Sequence, residues 1–222
     1  MAARDYGQYC AITRALELVG ERWALLIVRD LLVGPRRYGE LAAGLPRIPS
    51  NILAARLKEL QAAGILRRAP HSRVIVYELT PYGRELEPVV LALGAWGFKA
   101  MGEPRAEQVL TPDSMTMALR TAFRAEVAEH LPTTTYAARL GPSDLLVRVA
   151  GPSLTVTRGP TLPQPSALAG AADLAFVASP DLHKLIAGDL APSDAVTSGA
   201  IEVLHGPATL LDRFATTFHL AA

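Results

Sequence analysis

Residues 36–80 read RRYGELAAGLPRIPSNILAARLKELQAAGILRRAPHSRVIVYELT, and their order decides how the first half of the chain folds. Arg36-Arg37 opens a short amphipathic stretch with Tyr38, Leu41 and Leu45 at helical spacing. A loop with two prolines, Pro46 and Pro49, leads into a second helix over residues 50–63, stopped by Gly64. Residues 65–68 read as a strand leading out, the turn falls near Pro70-His71-Ser72, and residues 74–79 return. Helix, turn, helix and basic hairpin in this order describe a winged helix-turn-helix. Such a unit presents one helix to the DNA major groove and a charged wing to the neighbouring backbone.

The helix over residues 50–63 carries the specificity chemistry. Leu53, Leu57 and Leu60 share one face and are expected to pack inward, while Asn51, Ala55 and Lys58 lie on the opposite face. Ala54 and Ala55 are small enough to let that face sit deep in a groove. Asn51 can hydrogen-bond a base edge, adenine being its favoured partner. Ser50 either caps the helix or donates to a phosphate. On the hairpin, Arg67, Arg68, His71 and Arg73 cluster around the turn, as a wing in a minor groove or along phosphates requires. The alternative is a solvated hairpin whose charges serve solubility. Arg36 and Arg37 are phosphate-clamp candidates, with an N-cap or surface ion pair as the alternative.

Upstream, Ile12, Leu16 and Val19 form a helical stripe that Gly20 ends. Trp23, Leu26, Ile27 and Leu31 continue on a second helix stopped at Val33-Gly34-Pro35. Net charge is +1 over 222 residues, but residues 1–100 hold 14 Lys/Arg against 9 Asp/Glu, whereas residues 101–222 hold 8 against 12. A basic first half and an acidic second half imply two domains with different partners. Pro and Gly punctuation at Trp96-Gly97 and Gly102-Glu103-Pro104 puts the boundary near residues 100–110, dividing the chain into 1–102 and 103–222. The single cysteine, Cys10, excludes an intrachain disulfide. No apolar run reaches the ~18 residues of a membrane span, and the N-terminus lacks the pattern of a signal peptide. The expected location is cytoplasmic.

Several segments carry a family resemblance. They are Cys10 with the helix end Leu16-Glu17-Leu18-Val19-Gly20, Glu21-Arg22-Trp23-Ala24-Leu25-Leu26-Ile27, and residues 31–41, LLVGPRRYGEL. Ala55-Arg56-Leu57-Lys58-Glu59-Leu60, Gly64-Ile65-Leu66-Arg67-Arg68, Tyr77-Glu78-Leu79-Thr80 and a helix from Gly83 to Trp96 continue the series. In order and spacing, residues 8–97 resemble the HxlR-type winged-helix bacterial regulators. The resemblance implies a homodimer bound to operator DNA, usually as a repressor. It places the helices around Cys10–Val19 and Glu85–Trp96 in the dimer interface, with Trp23 and Trp96 as packing residues. Two departures stand out. The family opens its recognition helix with Ser then Pro, where this chain has Pro49-Ser50, and its return strand often begins Pro-Arg, where this chain reads Ser72-Arg73-Val74-Ile75. Cys10 sits where several members carry a thiol that senses oxidants or electrophiles. That chemistry needs an accessible thiolate, which Arg14, one helical turn away, could stabilise. The alternative is an unreactive cysteine packed near the dimer interface.

The second half reads as α+β, with helices on one face of a mostly antiparallel sheet. A helix is expected over residues 113–131 and strands over 134–140, 144–149 and 153–158. A proline-rich turn at Pro160–Pro165 leads to a strand over 172–178, a helix over 180–187, a strand over 199–206 and a last helix over 207–218. The closing order, with Leu185-Ile186-Ala187-Gly188-Asp189 and Gly199-Ala200-Ile201-Glu202-Val203-Leu204-His205-Gly206, resembles sterol-carrier-protein-like domains over residues 113–220. That resemblance implies an apolar pocket for a hydrophobic small molecule, lined from Met117, Phe123, Leu185, Ile186, Leu211 and Phe214. Each could equally fill an ordinary core.

Catalysis finds little support in the sequence. His183, His205 and His219 are scattered, and there is no His-Glu-x-x-His or paired-cysteine metal spacing, Gly-x-Ser-x-Gly elbow or phosphate-binding Gly-Lys-Ser/Thr loop. No cofactor or metal is expected. Three readings follow: a regulator with a hydrophobic effector, a redox regulator acting through Cys10, and a lipid carrier that borrowed a winged helix.

Overall fold

The computed structural model describes residues 5–105, 107–141, 143–159 and 172–221. Its first elements are α1 (Ala11–Val19), α2 (Ala24–Val33), α3 (Tyr38–Gly44) and α4 (Ser50–Ala62), followed by β1 (Leu66–His71) and β2 (Val74–Leu79). The leucine spacing of α4 decides its rotation, since Leu53, Leu57 and Leu60 are all buried. Ile27, Val28, Leu31 and Leu32 of α2 and Leu41 of α3 are buried too, as are Leu66, Val76 and Leu79 of the hairpin. In this arrangement α4 touches α1 and β1, and α2 touches α3 and β2. This is a winged helix-turn-helix.

The wing differs from the sequence expectation at its tip. β1 runs on to His71, opposite Val74, so the turn is Ser72-Arg73 and Ser72 takes a left-handed φ of 56°. Pro70 lies inside the strand, opposite Ile75, instead of in the turn. The reason is the position of β1. Arg36 occupies the far side of β2, donating to Tyr77 O at 3.0 Å and accepting from Tyr77 N at 2.7 Å. β1 is therefore an edge strand, where proline is tolerated.

Past the hairpin, Thr80 Oγ1 donates to Gly64 O at 2.6 Å and accepts from Gly83 N at 3.1 Å. Gly83 is required there, because a Cβ would stand 2.0 Å from Ile65 O. The single helix expected from Gly83 to Trp96 is two: α5 (Pro81–Arg84) and α6 (Glu87–Phe98). Pro88 explains the break, because it lacks the N–H that would continue the helical ladder from α5. The chain divides into compact units Met1–Val90 and Leu91–Ala222, and α6 spans the division.

The second unit contains α7 (Pro112–Ala122), α8 (Ala125–Ala128), β3 (Thr134–Leu140), β4 (Ser143–Ala150) and β5 (Ser153–Arg158). β6 (Leu174–Ala178), α9 (Leu182–Ala187), α10 (Pro192–Thr197), β7 (Ile201–His205) and α11 (Thr209–Thr217) complete it. The sheet order is β5-β4-β3-β6-β7. Its neighbours are antiparallel except β3 and β6, which run parallel, so the sheet is mixed. The turn expected at Pro160–Pro165 lies outside the described residues.

One face of this sheet meets the helices. Tyr136, Val147, Leu174 and Phe176 from the strands share a core with Leu119, Leu185, Leu211, Phe214 and Phe218. Phe214 is the hub. Its ring lies 5.2 Å from Tyr136, 5.4 Å from Phe176 and 4.6 Å from Phe218, edge-on to the first two. Burial pushes the Tyr136 phenol up to about 12, so it stays neutral in this setting. α7 is capped by Thr111 Oγ1, which accepts from Ser114 N at 3.2 Å. Asp113, buried in its first turn, accepts from Arg158 of β5 at 2.7 Å.

The helix expected over residues 113–131 breaks after Ala122. Phe123 turns extended to bridge Phe218, with Arg124 N donating to Thr217 O at 2.9 Å and His219 N to Ala122 O at 2.8 Å. A local pairing outweighs helical continuation there. α10, begun by Pro192 at its first position, has no counterpart in the sequence expectation.

The aromatic hub makes a direct prediction. Phe214→Ala should lower stability by about 3–5 kcal/mol, read by urea unfolding followed by circular dichroism of the second unit's transition. A loss below about 1 kcal/mol would mean that the core closes without this ring.

Candidate nucleic-acid interface

α4 begins with Pro49, whose extended backbone (φ −63°, ψ 141°) takes the N-cap position without a side-chain hydrogen bond. Ser50 is thus the first helical residue and not the cap. Its carbonyl accepts from the Tyr38 hydroxyl at 2.9 Å, which ties α3 to the start of α4. With the leucines facing inward, Ser50, Asn51 and Lys58 are exposed and Ala55 is half-buried. Arg56, on the flank, is held by Glu21 at 3.3 Å and by Glu59.

The wing cations are not equivalent. Arg67 Nε lies 2.7 Å from Glu78 Oε1, its register partner across the hairpin, so part of its charge is already answered. Arg68 sits with its guanidinium 6.0 Å from the Tyr77 ring centre. His71 and Arg73 stand exposed on either side of Ser72. Arg36 is half-buried; its backbone pairs with Tyr77 and its guanidinium donates to Pro35 O at 2.9 Å. Arg37 caps α3, with its N–H donating to Glu40 at 2.6 Å, while its side chain is exposed.

Beside this face lies a cleft of about 440 Å³ lined by Tyr38, Ala54, Leu57, Lys58, Gln61, Ala62, Arg68 and Tyr77. It brings Lys58 and Arg68, from helix and wing, to one place. Sequence reasoning missed Tyr38, Gln61 and Tyr77 as members of the site. Gln61 was findable, being three residues beyond Lys58 on the same helix face; the tyrosines depend on tertiary pairing.

Cys10 is exposed and occupies the N-cap of α1. The backbone amides of Thr13 and then Ile12, with the Thr13 hydroxyl, hold its thiol below the ordinary value. Arg14, the partner suggested by spacing, pairs instead with Glu17 at 3.0 Å.

In the second unit, Leu185, Ile186, Leu211 and Phe214 belong to one packed core, Phe123 packs against it, and Met117 is buried. Of these six, Leu185 also lines a cleft of about 360 Å³, together with Leu190, Pro192, Ala215, Arg124, Asp212, Thr216 and His219. That cleft is mixed in character, not an apolar tunnel. Among the described residues no group of three or more His, Cys, Asp or Glu could hold a metal ion, and no helix is long and apolar enough to cross a membrane.

A family model described as HxlR-like helix-turn-helix matches residues 18–105. An uncharacterised HTH-type transcriptional regulator of Synechocystis, sll1512, is 34% identical over 96 residues, covering 42% of this chain and 71% of that protein. The chain belongs to the HxlR-like helix-turn-helix family. Another such relative is the uncharacterised HTH-type transcriptional regulator Rv3095 of Mycobacterium tuberculosis, 40% identical over 102 residues, or 45% of this chain. The HxlR-like chain here spans 64% of the length of that relative. The solved reduced form of the transcriptional regulator YodB from B. subtilis is 33% identical, covering 44% of this chain and all of that one, with a TM-score of 0.37. All three matches cover less than half of this HxlR-like chain.

The geometry of Cys10 predicts its reactivity. The pH midpoint for alkylation by iodoacetamide, followed by mass spectrometry, should fall below that of a free cysteine, about 8.5. Thr13→Val should move it upward. A parent midpoint at or above the free value would show that the α1 amides do not hold the thiolate.

Proposed function

We propose that this chain is a homodimeric, sequence-specific DNA-binding transcriptional regulator acting as a repressor. The observation that carries the reading is the exposed face of α4 bearing Asn51 and Lys58, flanked by Arg68, His71 and Arg73 of the wing. α4 docks in the major groove, where Asn51 reads a base edge. Ser50, Arg37 and the wing cations meet phosphates and set the register. Membership in the helix-turn-helix family supports this use of the face.

The dimer rests on apolar surface. α6 has no buried residue, although most of its side chains are apolar; Val89, Leu93 and Trp96 are 47%, 45% and 74% exposed, at i, i+4 and i+7. On α1, Ile12 and Leu16 are 73% and 48% exposed. Stripes of this kind mark contact surfaces, and a second copy is the partner proposed.

The second unit is proposed as the effector module for a hydrophobic small molecule, on its likeness to sterol-carrier domains. Because Phe214 and its neighbours fill the core, such a ligand has to enter by displacing packed side chains or through the cleft beside Leu185. A second reading, redox control through Cys10, is favoured by the exposure and lowered pKa of that thiol. Cys10→Ser separates the two, since it should abolish a response to oxidants and leave a response to hydrophobic ligands intact.

Selecting genomic fragments with the full-length protein and titrating the best one against salt tests the DNA reading. A sequence-preferring complex with a steep negative salt slope is expected; affinity no better than for random DNA sinks it. Asn51→Ala should cost about 1–3 kcal/mol and relax preference at one base pair, whereas Arg68→Ala should weaken all sequences alike and flatten the salt slope by about one. Light scattering should give a dimer for the parent protein and a monomer for Leu93→Glu with Trp96→Glu. A parent monomer at working concentrations would overturn the dimer.

A further inference from the structure

The cleft between α4 and the wing contains chemistry that DNA contact alone does not use. Its eight lining residues include two cations, Lys58 and Arg68, two phenols, Tyr38 and Tyr77, one amide, Gln61, and an apolar floor of Ala54, Leu57 and Ala62. No carboxylate is among them. Neighbouring Arg67 is answered by Glu78, but among the described residues neither Lys58 nor Arg68 is paired with a carboxylate. The volume, about 440 Å³, falls in the range of small-molecule sites.

We propose that this cleft binds an aromatic carboxylate, which competes with DNA for Lys58 and Arg68. The class follows from the lining. A bare inorganic anion would meet the cations but leave Ala54, Ala62 and the tyrosine rings in contact with water. A neutral aromatic would cover the apolar floor and desolvate two cations that lack a carboxylate partner, which is costly. An aromatic carboxylate satisfies both. Its carboxylate accepts charge-assisted hydrogen bonds from Arg68 and Lys58, and its ring lies on Ala54 and Ala62 and against the tyrosines. Gln61 remains to orient a ring substituent. The regulatory step rests on the DNA reading proposed above: occupation removes from the docking face one helix cation and one wing cation together, so ligand and operator exclude each other.

The test begins without DNA. The full-length chain is titrated calorimetrically with benzoate, cinnamate and 1-naphthoate, each against its neutral amide. At least one carboxylate is expected to bind, with the amide weaker by about tenfold or more. Arg68→Gln and Lys58→Gln should each lose most of the affinity. Ala62→Phe, which fills the floor without removing a charge, should lose it too; circular dichroism checks that all three fold. If none of the carboxylates binds, if the amides bind equally, or if folded Ala62→Phe binds like the parent, the ligand site is overturned. With a selected operator, the bound carboxylate should raise the apparent Kd in proportion to its concentration, and Ala62→Phe should make operator binding insensitive to it. A carboxylate that binds while operator affinity stays constant overturns the competition. Carboxylate binding by a chain that recognises no operator leaves the ligand site standing and removes the competition together with the DNA reading.

Discussion

The burial of Leu53, Leu57 and Leu60 is the constraint on which the first unit depends. Each leucine contributes about 1.5–3 kcal/mol when removed from water, so rotating α4 by even one residue forfeits more than any surface contact could return. That locked rotation decides which side chains remain outside. Asn51 and Lys58 face solvent because the leucines cannot, and Ala54 and Ala55 keep the outer surface low. The hairpin is held to the same core by Leu66, Val76 and Leu79, and Thr80 clamps its base to the end of α4 through Gly64. Helix and wing are thus positioned relative to each other by packing within one unit. The cleft between them follows from that positioning.

The second unit is organised by a different rule. Its sheet presents one face to the helices, and Phe214 sits where Tyr136, Phe176 and Phe218 converge. Aromatic rings in edge-on contact fill volume with few rotamers, so this core has a definite shape instead of a fluid interior. The charge division of the sequence, basic before residue 100 and acidic after it, accords with distinct work for the two units. On the proposed DNA reading, a face that meets phosphates needs cations, and an acidic module on the same chain does not compete for them.

Helical periodicity made α1 to α4 legible, and the leucine spacing of α4 named its buried face residue by residue. The strands of the second unit were equally plain, because alternation and turn residues bracket them. What escaped was decided by tertiary geometry. Pro70 looks like a turn residue until β1 is known to be an edge, and the break at Phe123 exists because Phe218 offers an extended partner. Pro88 was passed over in the helix expected from Gly83 to Trp96, because the apolar run after it keeps a helical period. At the candidate site, the exposure of Asn51, Lys58 and Arg68 could be read from pattern alone. The roles of Tyr38 and Tyr77 could not, since each reaches the cleft by pairing with residues far away in the chain. Arg14 illustrates the opposite error: spacing offered it to Cys10, but Glu17, three residues on, was the better-placed partner.

The place of Pro70 on an outer strand has a consequence for how crowded regulators coexist. An unpaired strand edge is a template on which another chain can add its own strand. Here that edge lacks one backbone donor at Pro70 and is studded with Arg67, Arg68 and His71. Two wings brought near each other, on adjacent sites or at high concentration, would meet missing hydrogen bonds and like charge. The cations that the proposed DNA reading assigns to the wing are the ones that oppose pairing between two wings, so one short strand would serve both ends.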